Sequence, residues 1–284
     1  MSKSHATPTL SSQLAVTGHV DLAGFDSRAT TGFDGKKADA EKALAALGHE
    51  LGDLQEKLFA GGRAGSSPAR VLVVLQGMDT SGKGGIVRHV AGLVDPQGLH
   101  ITSFKQPTRE EVQHDFLWRI QKALPGPGMI GVFDRSHYED VLIGKVRQLA
   151  GLKEISRRYE AINAFEREFT ESGGVIVKCF LHITADDQKE RLAARLDDPT
   201  KHWKYSSGDL DERQLWDAYQ EAYAVALERC STDEAPWHLV PSGRKWYRNW
   251  AVATLLLEQL RALDLDWPPA DFDVEAERSR LATM

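Results

Sequence analysis

Short apolar runs alternate with amphipathic stretches along most of the chain. The runs at 71–76, 100–104, 129–133, 175–183 and 237–241 have the length and side chains of buried β-strands. Apolar residues at helical spacing predict helices over 38–59, 86–94, 108–124, 138–149, 154–171, 188–196, 211–229 and 246–263. This alternation predicts an α/β fold in which a doubly wound, parallel, five-stranded sheet carries flanking helices on both faces.

The two ends of the chain lack this alternation. Residues 1–35 are rich in Ser, Thr, Gly and Asp and predict an irregular N-terminal arm. Residues 36–267 form a single predicted domain, and 268–284 a frayed C-terminal tail. The apolar stripe Leu44, Leu47, Leu51, Leu54 and Leu58 in the first helix can pack on this domain or form a subunit contact.

Composition narrows the class of protein. The 284 residues are 42% hydrophobic and 27% charged, which is the balance of a globular protein. The net charge of -6 argues against a nucleic-acid or membrane binder, so a polyanionic ligand would need a local basic patch. No uninterrupted apolar run of about 18 residues occurs, and the first residues lack the apolar core of a secretory signal. Two cysteines make no disulfide framework, and we expect Cys179 to be a buried thiol in a cytoplasmic protein.

The stretch GMDTSGKGG, residues 77–85, has the spacing of a phosphate-binding loop. It follows a buried strand and precedes a helix, and its glycines Gly82, Gly84 and Gly85 allow close approach of the backbone to an anion. Lys83 adds a mobile positive charge. Gly84 replaces the usual magnesium-binding Ser or Thr. Asp79 either supplies a replacement metal ligand or caps the loop through backbone hydrogen bonds.

A second motif, FDRSHYED, begins at the end of the third predicted strand. Asp134 lies where parallel sheets place their ligands, and a carboxylate there can hold magnesium. Arg135 follows directly, as a phosphate ligand or as half of a surface ion pair with Asp134. We therefore predict that Asp79 and Asp134 together bind magnesium.

A basic segment follows the fourth strand, at about 190–220. Arg191 and Arg195 share a helix face, and Lys201 and Lys204 follow in a polar stretch. The segment is predicted to be a lid over phosphates, although a solvated helix end with local ion pairs would have the same pattern. Arg88 can also contact phosphate from the helix after the loop. Three further basic residues could extend an anion track: His89, Lys105 and Arg119.

Histidine and tryptophan offer less chemistry. The histidines form no metal-binding set, and His137 is interpreted as a structural hydrogen-bonding residue. Five tryptophans are expected to pack in the core or lid: Trp203, Trp216, Trp237, Trp246 and Trp250.

Four stretches together resemble the family-2 polyphosphate kinases. They are GMDTSGKGG, FDRSHYEDVL, RLDDPTKHWKYSSGDLDERQLWDAYQEAY and APWHLVPSGRKWYRNW, and the resemblance extends over roughly residues 33–263. It implies a P-loop kinase fold, related to thymidylate kinase, with a helical lid. It also implies magnesium-dependent transfer of phosphoryl groups between inorganic polyphosphate and nucleotides, in a dimer or tetramer.

The resemblance assigns roles to individual residues. It makes Asp79 and Lys83 part of the phosphate and metal site, Asp134 the second metal residue and Arg135 a phosphate ligand. Arg195 becomes the lid residue that reaches the transferred phosphate. Acceptors are AMP, ADP or their guanine counterparts, and SHYEDVL is similar to members that accept both mono- and diphosphates. Some of those have Asn in place of Asp134, which leaves the preferred acceptor open.

Two other functions fit the same loop. One is an ATP-dependent nucleoside or nucleotide kinase, against which Gly84 and the acidic loop argue. The other is a non-catalytic regulator that binds polyphosphate or nucleotide, against which the complete set of charged residues argues.

Overall fold

The five predicted strands form one parallel sheet. The computed structural model describes residues 8–284. Its strands are β1 (Arg70–Gln76), β2 (Leu99–Ser103), β3 (Ile130–Asp134), β4 (Gly174–His182) and β5 (Trp237–Pro241). Their order in the sheet is β2-β3-β1-β4-β5, and all four pairings are parallel. The predicted doubly wound sheet is confirmed.

Helices cover both faces of the sheet. They are α1 (Leu10–Leu14), α2 (Lys37–Arg63), α3 (Lys83–His89), α4 (Trp118–Ala123), α5 (Glu139–Val146), α6 (Leu152–Glu171), α7 (Ala185–Leu196), α8 (Gly208–Arg213), α9 (Trp216–Arg229), α10 (Lys245–Ala262) and α11 (Val274–Leu281). Successive residues of β1 enter two different apolar clusters, since side chains alternate across a strand: Leu72 and Val74 belong to one, Val71 and Val73 to the other. This two-sided burial explains why the strand is a continuous apolar run.

Several predicted elements differ in the structure. The arm predicted to be irregular contains α1, and the helix expected over 86–94 ends at His89, before a 3-10 turn at Ala91–Leu93. The helix expected over 211–229 is two helices, α8 and α9, and the one expected over 108–124 shrinks to a 3-10 turn, Glu111–Gln113, and the short α4. The predicted frayed tail contains α11. Its first turn is capped by the Asp273 carboxylate, and exposed ion pairs at i,i+3 spacing, such as Arg278–Glu275, support it.

The N-terminal arm covers the edge of the sheet. The backbone N–H of Val16 donates to the carbonyl of Trp237, and Ala15 forms an antiparallel bridge with His238 in β5. In α1, the Glu258 carboxylate of α10 accepts the N–H groups of Leu10 and Ser11 at 2.8 Å each. The arm thereby occupies backbone groups that an edge strand would otherwise leave exposed.

Helix α2 packs on the body of the domain. Leu51 and Leu58 are buried in the same apolar cluster as Leu256 and Leu260 of α10, with Leu44, Leu47 and Leu54 packed against its margin. Its apolar stripe therefore serves packing within the chain. Cys179 is also fully buried, as predicted. Across residues 8–284, no helix has the length and apolar character needed to cross a bilayer.

Candidate active site

The candidate site lies at the carboxyl edge of the sheet. The phosphate loop follows β1, and Asp134 ends β3, the strand beside it; the register places Leu75 opposite Asp134. The segment predicted to be a lid begins with α7, which follows β4 on the other side of β1. Three predicted features are therefore brought together because their strands are neighbours with parallel direction.

The carbonyl groups of the phosphate loop are held by side chains. Lys83 Nζ donates to the carbonyl oxygen of Gly77 at 2.7 Å, and Gln188 of α7 donates to that of Asp79 at 3.2 Å. Arg191 donates to the next two, those of Thr80 at 2.9 Å and Ser81 at 3.3 Å. Arg191 was predicted as a lid residue that contacts phosphate, but here it supports the loop from behind.

The N–H groups of the same loop point elsewhere. Among residues 8–284, no acceptor pairs with the backbone N–H groups of Thr80, Gly82, Lys83 or Gly84. A Cβ atom placed on Gly84 would meet no atom within 4 Å, so this side of the loop is open. A run of unpaired N–H groups with occupied carbonyls is the arrangement that binds a phosphate anion.

The loop backbone is strained at one position. Thr80 has a φ of +68°, which a β-branched residue rarely adopts, and its Oγ1 is buried without a hydrogen-bond partner in the described structure. Such strain costs about 1–3 kcal/mol and persists only where surrounding contacts hold it. The side chains bound to the neighbouring carbonyls provide those contacts.

Lys83 lies at the centre of the charged groups. Burial lowers the pKa of its amine, and the attraction of Asp79, Asp134 and Glu139 opposes the shift. Arg135 adds a repulsive positive charge. The Lys83 amine donates to carbonyl groups of its own loop. Its flexible side chain can move from there to an incoming phosphate.

Asp79 pairs with Arg135. Arg135 Nη2 lies 3.0 Å from Asp79 Oδ1, and the Arg135 backbone has a left-handed φ of +63° that turns the chain after β3. Burial opposes the guanidinium charge, but Glu139 and Asp79 outweigh it and raise the pKa of Arg135. The Asp79 carboxylate accepts no backbone N–H among residues 8–284, so the loop-capping alternative is not observed. The surface ion-pair alternative required Arg135 to pair with the adjacent Asp134, but Arg135 pairs with Asp79 instead.

Sequence reasoning missed the cavity beside this pair. It has a volume of about 100 Å³ and is lined by Gly77, Met78, Asp79, Arg135, Glu139, Ile143, Glu212, Tyr219 and Tyr223. Burial raises the pKa of Glu139, although Arg135 and Lys83 oppose the shift. The one signal for Glu139 in the sequence was its position in the first turn of the helix that follows Asp134 and Arg135. The lining residues of α9 come from elements distant in sequence and carried no such signal.

The carboxylates suit magnesium in number and type. Asp134 accepts no side-chain hydrogen bond within residues 8–284, and Asp79 offers its second oxygen. The described residues contain no cluster of three or more metal-ligating side chains. Magnesium commonly binds through one or two carboxylates, with phosphate oxygens and waters completing its shell. Asp79 and Asp134 fit that requirement, and the ion would neutralise phosphate charge between them.

The lid residues have mixed surroundings. Arg195 Nη1 donates to the Lys204 carbonyl at 2.9 Å and lies 3.3 Å from Asp209 Oδ2. Burial raises the pKa of Asp209, and repulsion from Asp79 adds to the shift. Glu212 of α8 lines the same cavity as Asp79. Lys201 forms a local ion pair with Asp198 at 2.7 Å, as the solvated-helix alternative expected.

Three other predicted residues lie outside this set of contacts. Arg88 and Lys204 are exposed, and neither donates a side-chain hydrogen bond to residues 8–284. The phosphate contact expected of Arg88 therefore stays a prediction. Trp203 is 78% exposed, contrary to the expected packing in the core or lid, and Lys204 lies against its ring.

A buried polar network fixes the turn that carries Arg135. Lys178 Nζ lies 2.6 Å from Glu166 Oε2, and the Tyr138 hydroxyl donates to Glu166 Oε1 at 2.8 Å. His137 Nε2 lies 3.1 Å from the same oxygen, which confirms its structural interpretation. Burial favours the neutral acid, but Lys178 and His137 outweigh it and lower the pKa of Glu166. The network ties the start of α5 to β4 and α6.

Removing one member of this network should destabilise the protein. We expect Lys178→Met to lower the free energy of unfolding by about 3–5 kcal/mol, because it leaves Glu166 charged and buried. The double variant Lys178→Met with Glu166→Leu should recover part of the loss. Since the folded-state pKa of Glu166 lies below 4.5, wild type should lose stability as pH falls below that value, and the deficit of Lys178→Met should shrink. Urea unfolding between pH 7 and pH 3 measures both; an unchanged midpoint at pH 7 would contradict the prediction.

Comparisons with known proteins agree with this geometry. The family model described as Polyphosphate kinase 2 matches residues 34–266, which is most of the chain. The chain belongs to the polyphosphate kinase 2 family. It is 45% identical over 251 residues to the AMP/ADP-polyphosphate phosphotransferase of Meiothermus ruber, covering 88% of this chain and 92% of that protein. It is 38% identical over 277 residues to the ADP-polyphosphate phosphotransferase of Rhodopseudomonas palustris, covering 93% of each.

A solved member of the family has the same fold. The crystal structure of Polyphosphate Kinase 2 from Arthrobacter aurescens TC1 superposes with a TM-score of 0.95 at 56% identity and covers 98% of each chain. The predicted P-loop kinase fold and family are therefore confirmed, and the chain is an enzyme of the kinase class. The roles of its individual site residues are proposals.

Proposed function

We propose that this kinase transfers phosphoryl groups between inorganic polyphosphate and the nucleotides AMP and ADP, with Mg²⁺ as cofactor. The observation that carries the proposal is the phosphate loop beside Lys83: side chains occupy its carbonyls, and the N–H groups of Thr80, Gly82, Lys83 and Gly84 have no acceptor among residues 8–284. The names of the Meiothermus and Rhodopseudomonas relatives support AMP and ADP as acceptors.

The site needs charge neutralisation more than a base. A nucleotide phosphate is already ionised near neutral pH, so no proton must be removed from the acceptor. Lys83 and Arg135 supply positive charge, and Arg195 can supply more from the lid. Bound Mg²⁺ would stabilise charge on the transferred group, held by Asp79 and Asp134. The acidic net charge of the chain is no obstacle, because the positive groups are local.

The oxygen chemistry of the loop favours a metal-bridged phosphate. Gly84 offers no hydroxyl, so the metal cannot be held at the position that ATP-binding loops use. Asp79 would repel a bare phosphate and becomes favourable once a divalent ion lies between them. We therefore infer that polyphosphate or acceptor phosphate, bridged by Mg²⁺, binds here in preference to ATP as the donor.

One assay tests the function. Purified protein is incubated with Mg²⁺ and long-chain polyphosphate, with AMP or ADP in parallel, and nucleotides are separated by chromatography. We expect ADP and ATP to form. Product formation from ATP and a nucleoside without polyphosphate would indicate the ATP-dependent kinase, and binding without turnover would indicate the regulator. Light scattering of the same sample tests the dimer or tetramer that the family resemblance implies.

The lid arginine should matter mainly for turnover. We expect Arg195→Gln to lower kcat about 100-fold or more, because a lid arginine can stabilise charge on the transferred phosphoryl group. Lys189→Gln, an exposed change on the same helix, is the matched control and should leave kcat unchanged. Initial rates at saturating polyphosphate and ADP measure both, and equal rates would remove Arg195 from the mechanism.

A further inference from the structure

Arg248 is a buried arginine without an acidic partner. It lies in the first turn of α10 and is 3% exposed. Its guanidinium donates to the Ser81 carbonyl at 3.2 Å and to the side-chain oxygen of Asn249 at 2.8 Å. No carboxylate of residues 8–284 forms an ion pair with it. A buried charge of this kind is costly unless something else requires it.

The guanidinium lies directly against the loop glycines. A Cβ atom on Gly82 would lie 1.6 Å from Arg248 Nη1, and one on Gly85 would lie 2.5 Å from Nη2. Gly82 also has a φ of +114° that side chains rarely adopt. At two of the four loop glycines a side chain would therefore displace Arg248, whereas a Cβ atom on Gly84 would face open space.

Arg248 and Arg191 converge on the same carbonyl. Both donate to the Ser81 oxygen, and Arg191 is further anchored by the carbonyls of Ser242 and Gly243. Burial lowers the pKa of Arg248 to about 10, and the charge of Arg191 adds to the shift. Two mutually repelling guanidinium groups therefore hold one peptide oxygen, which also fixes the direction of the N–H groups on the other side of the loop.

We propose that Arg248 is a positioning residue for phosphoryl transfer: with Arg191, it holds the Ser81 carbonyl away from the substrate, so that the loop N–H groups stay aimed at phosphate. The inference rests on the proposed function, since the bound anion is taken to be a phosphate chain. Arg248 acts through the backbone and need not touch the substrate. A bound polyanion would also offset the uncompensated charge of the two arginines.

Kinetics of Arg248 variants test the proposal. We expect Arg248→Met to lower kcat/KM for polyphosphate about 100-fold, because small misplacements of binding groups cost that much. The melting temperature should change by less than about 5 °C, since loss of a buried unpaired charge offsets the lost hydrogen bonds. Arg248→Lys keeps a donor for Ser81 and should recover at least tenfold of the loss. Wild-type kinetics in Arg248→Met, or no recovery in Arg248→Lys, would overturn the proposal.

A second variant displaces the guanidinium without removing it. In Gly85→Ala the new methyl group meets only the flexible end of Arg248, so the fold should tolerate it. We expect about a tenfold loss of kcat/KM in the wild-type background and less than a twofold further loss in Arg248→Met. An equal loss in both backgrounds would mean that the methyl group obstructs phosphate directly, and would overturn the proposal. If Arg248→Met does not fold, the comparison uses Arg248→Lys instead, with the loss again expected to be smaller than in wild type.

Binding separates this inference from the proposed function. Calorimetry with tripolyphosphate, without nucleotide, should show about tenfold weaker binding to Arg248→Met and to Gly85→Ala than to wild type. Wild-type binding without any transfer from polyphosphate would refute the proposed function, while the variants would still test Arg248. Equal affinity of wild type and both variants would overturn the positioning role whatever the outcome of the transfer assay.

Discussion

Lys83→Met is expected to abolish measurable transfer, with kcat lowered at least about 1,000-fold. The amine is buried at the centre of the charged groups, where a single preorganised positive charge stabilises a phosphoryl transition state by about 4 kcal/mol. Methionine has similar length but cannot neutralise phosphate. Lys153→Met, an exposed change on α6, is the control and should retain full activity.

The same variant should leave the fold intact. Burial lowers the pKa of Lys83 in the folded protein below 10.5, so the unfolded chain binds more protons in the alkaline range. Wild type should therefore gain stability relative to Lys83→Met as pH rises toward 10.5. Thermal unfolding at several pH values measures this difference. Full transfer activity in Lys83→Met would exclude the lysine from the mechanism and reject the proposed site.

Asp79→Asn and Asp134→Asn should each lower kcat about 1,000-fold and raise the Mg²⁺ concentration for half-maximal activity about tenfold. Each amide keeps the size of the carboxylate but loses the charge that Mg²⁺ prefers in its ligands. Asp79→Asn also removes the carboxylate that lies 3.0 Å from Arg135. High Mg²⁺ should therefore restore less activity to Asp79→Asn than to Asp134→Asn. Asp53→Asn, exposed on α2, is the control.

A magnesium titration of initial rates distinguishes the two metal residues. High Mg²⁺ should restore more activity to Asp134→Asn than to Asp79→Asn, because Arg135 keeps its carboxylate partner only in Asp134→Asn. A half-saturating Mg²⁺ concentration equal to that of wild type in both variants would show that neither carboxylate binds the metal. Activity would then depend on phosphate-bound magnesium alone.

The sheet and the loop were predictable because their signals are local. Continuous apolar runs at 71–76 and 175–183 identify strands buried on both faces, and the glycine spacing of 77–85 identifies a phosphate loop wherever it follows such a strand. The single helix predicted over 211–229 was wrong, because its periodicity continues across residues 214–215, where the chain leaves the helical path between α8 and α9. Apolar periodicity shows that a segment is helical more reliably than it shows where the helix is interrupted.

The lid was harder to interpret from sequence. Arg191, Arg195, Lys201 and Lys204 form one basic pattern, yet their side chains have different partners. Arg191 supports the loop backbone, Arg195 lies beside Asp209, and Lys201 pairs with Asp198. Charge alone does not distinguish a residue that faces phosphate from one that holds a carbonyl, because both interactions need the same donor groups.

By itself, the sequence determined the fold class, the family and the identity of Lys83, Asp79 and Asp134 as candidates, because each depends on neighbours in the chain. Only the tertiary structure decided how the loop is held. Arg248 lies 167 residues from Ser81 in sequence. Its guanidinium nevertheless occupies the space that a side chain at Gly82 or Gly85 would need. Such contacts form when parallel strands bring the helices after β4 and β5 to the same edge as the loop after β1. Their residues carry no periodic signal, and packing alone makes them part of the site.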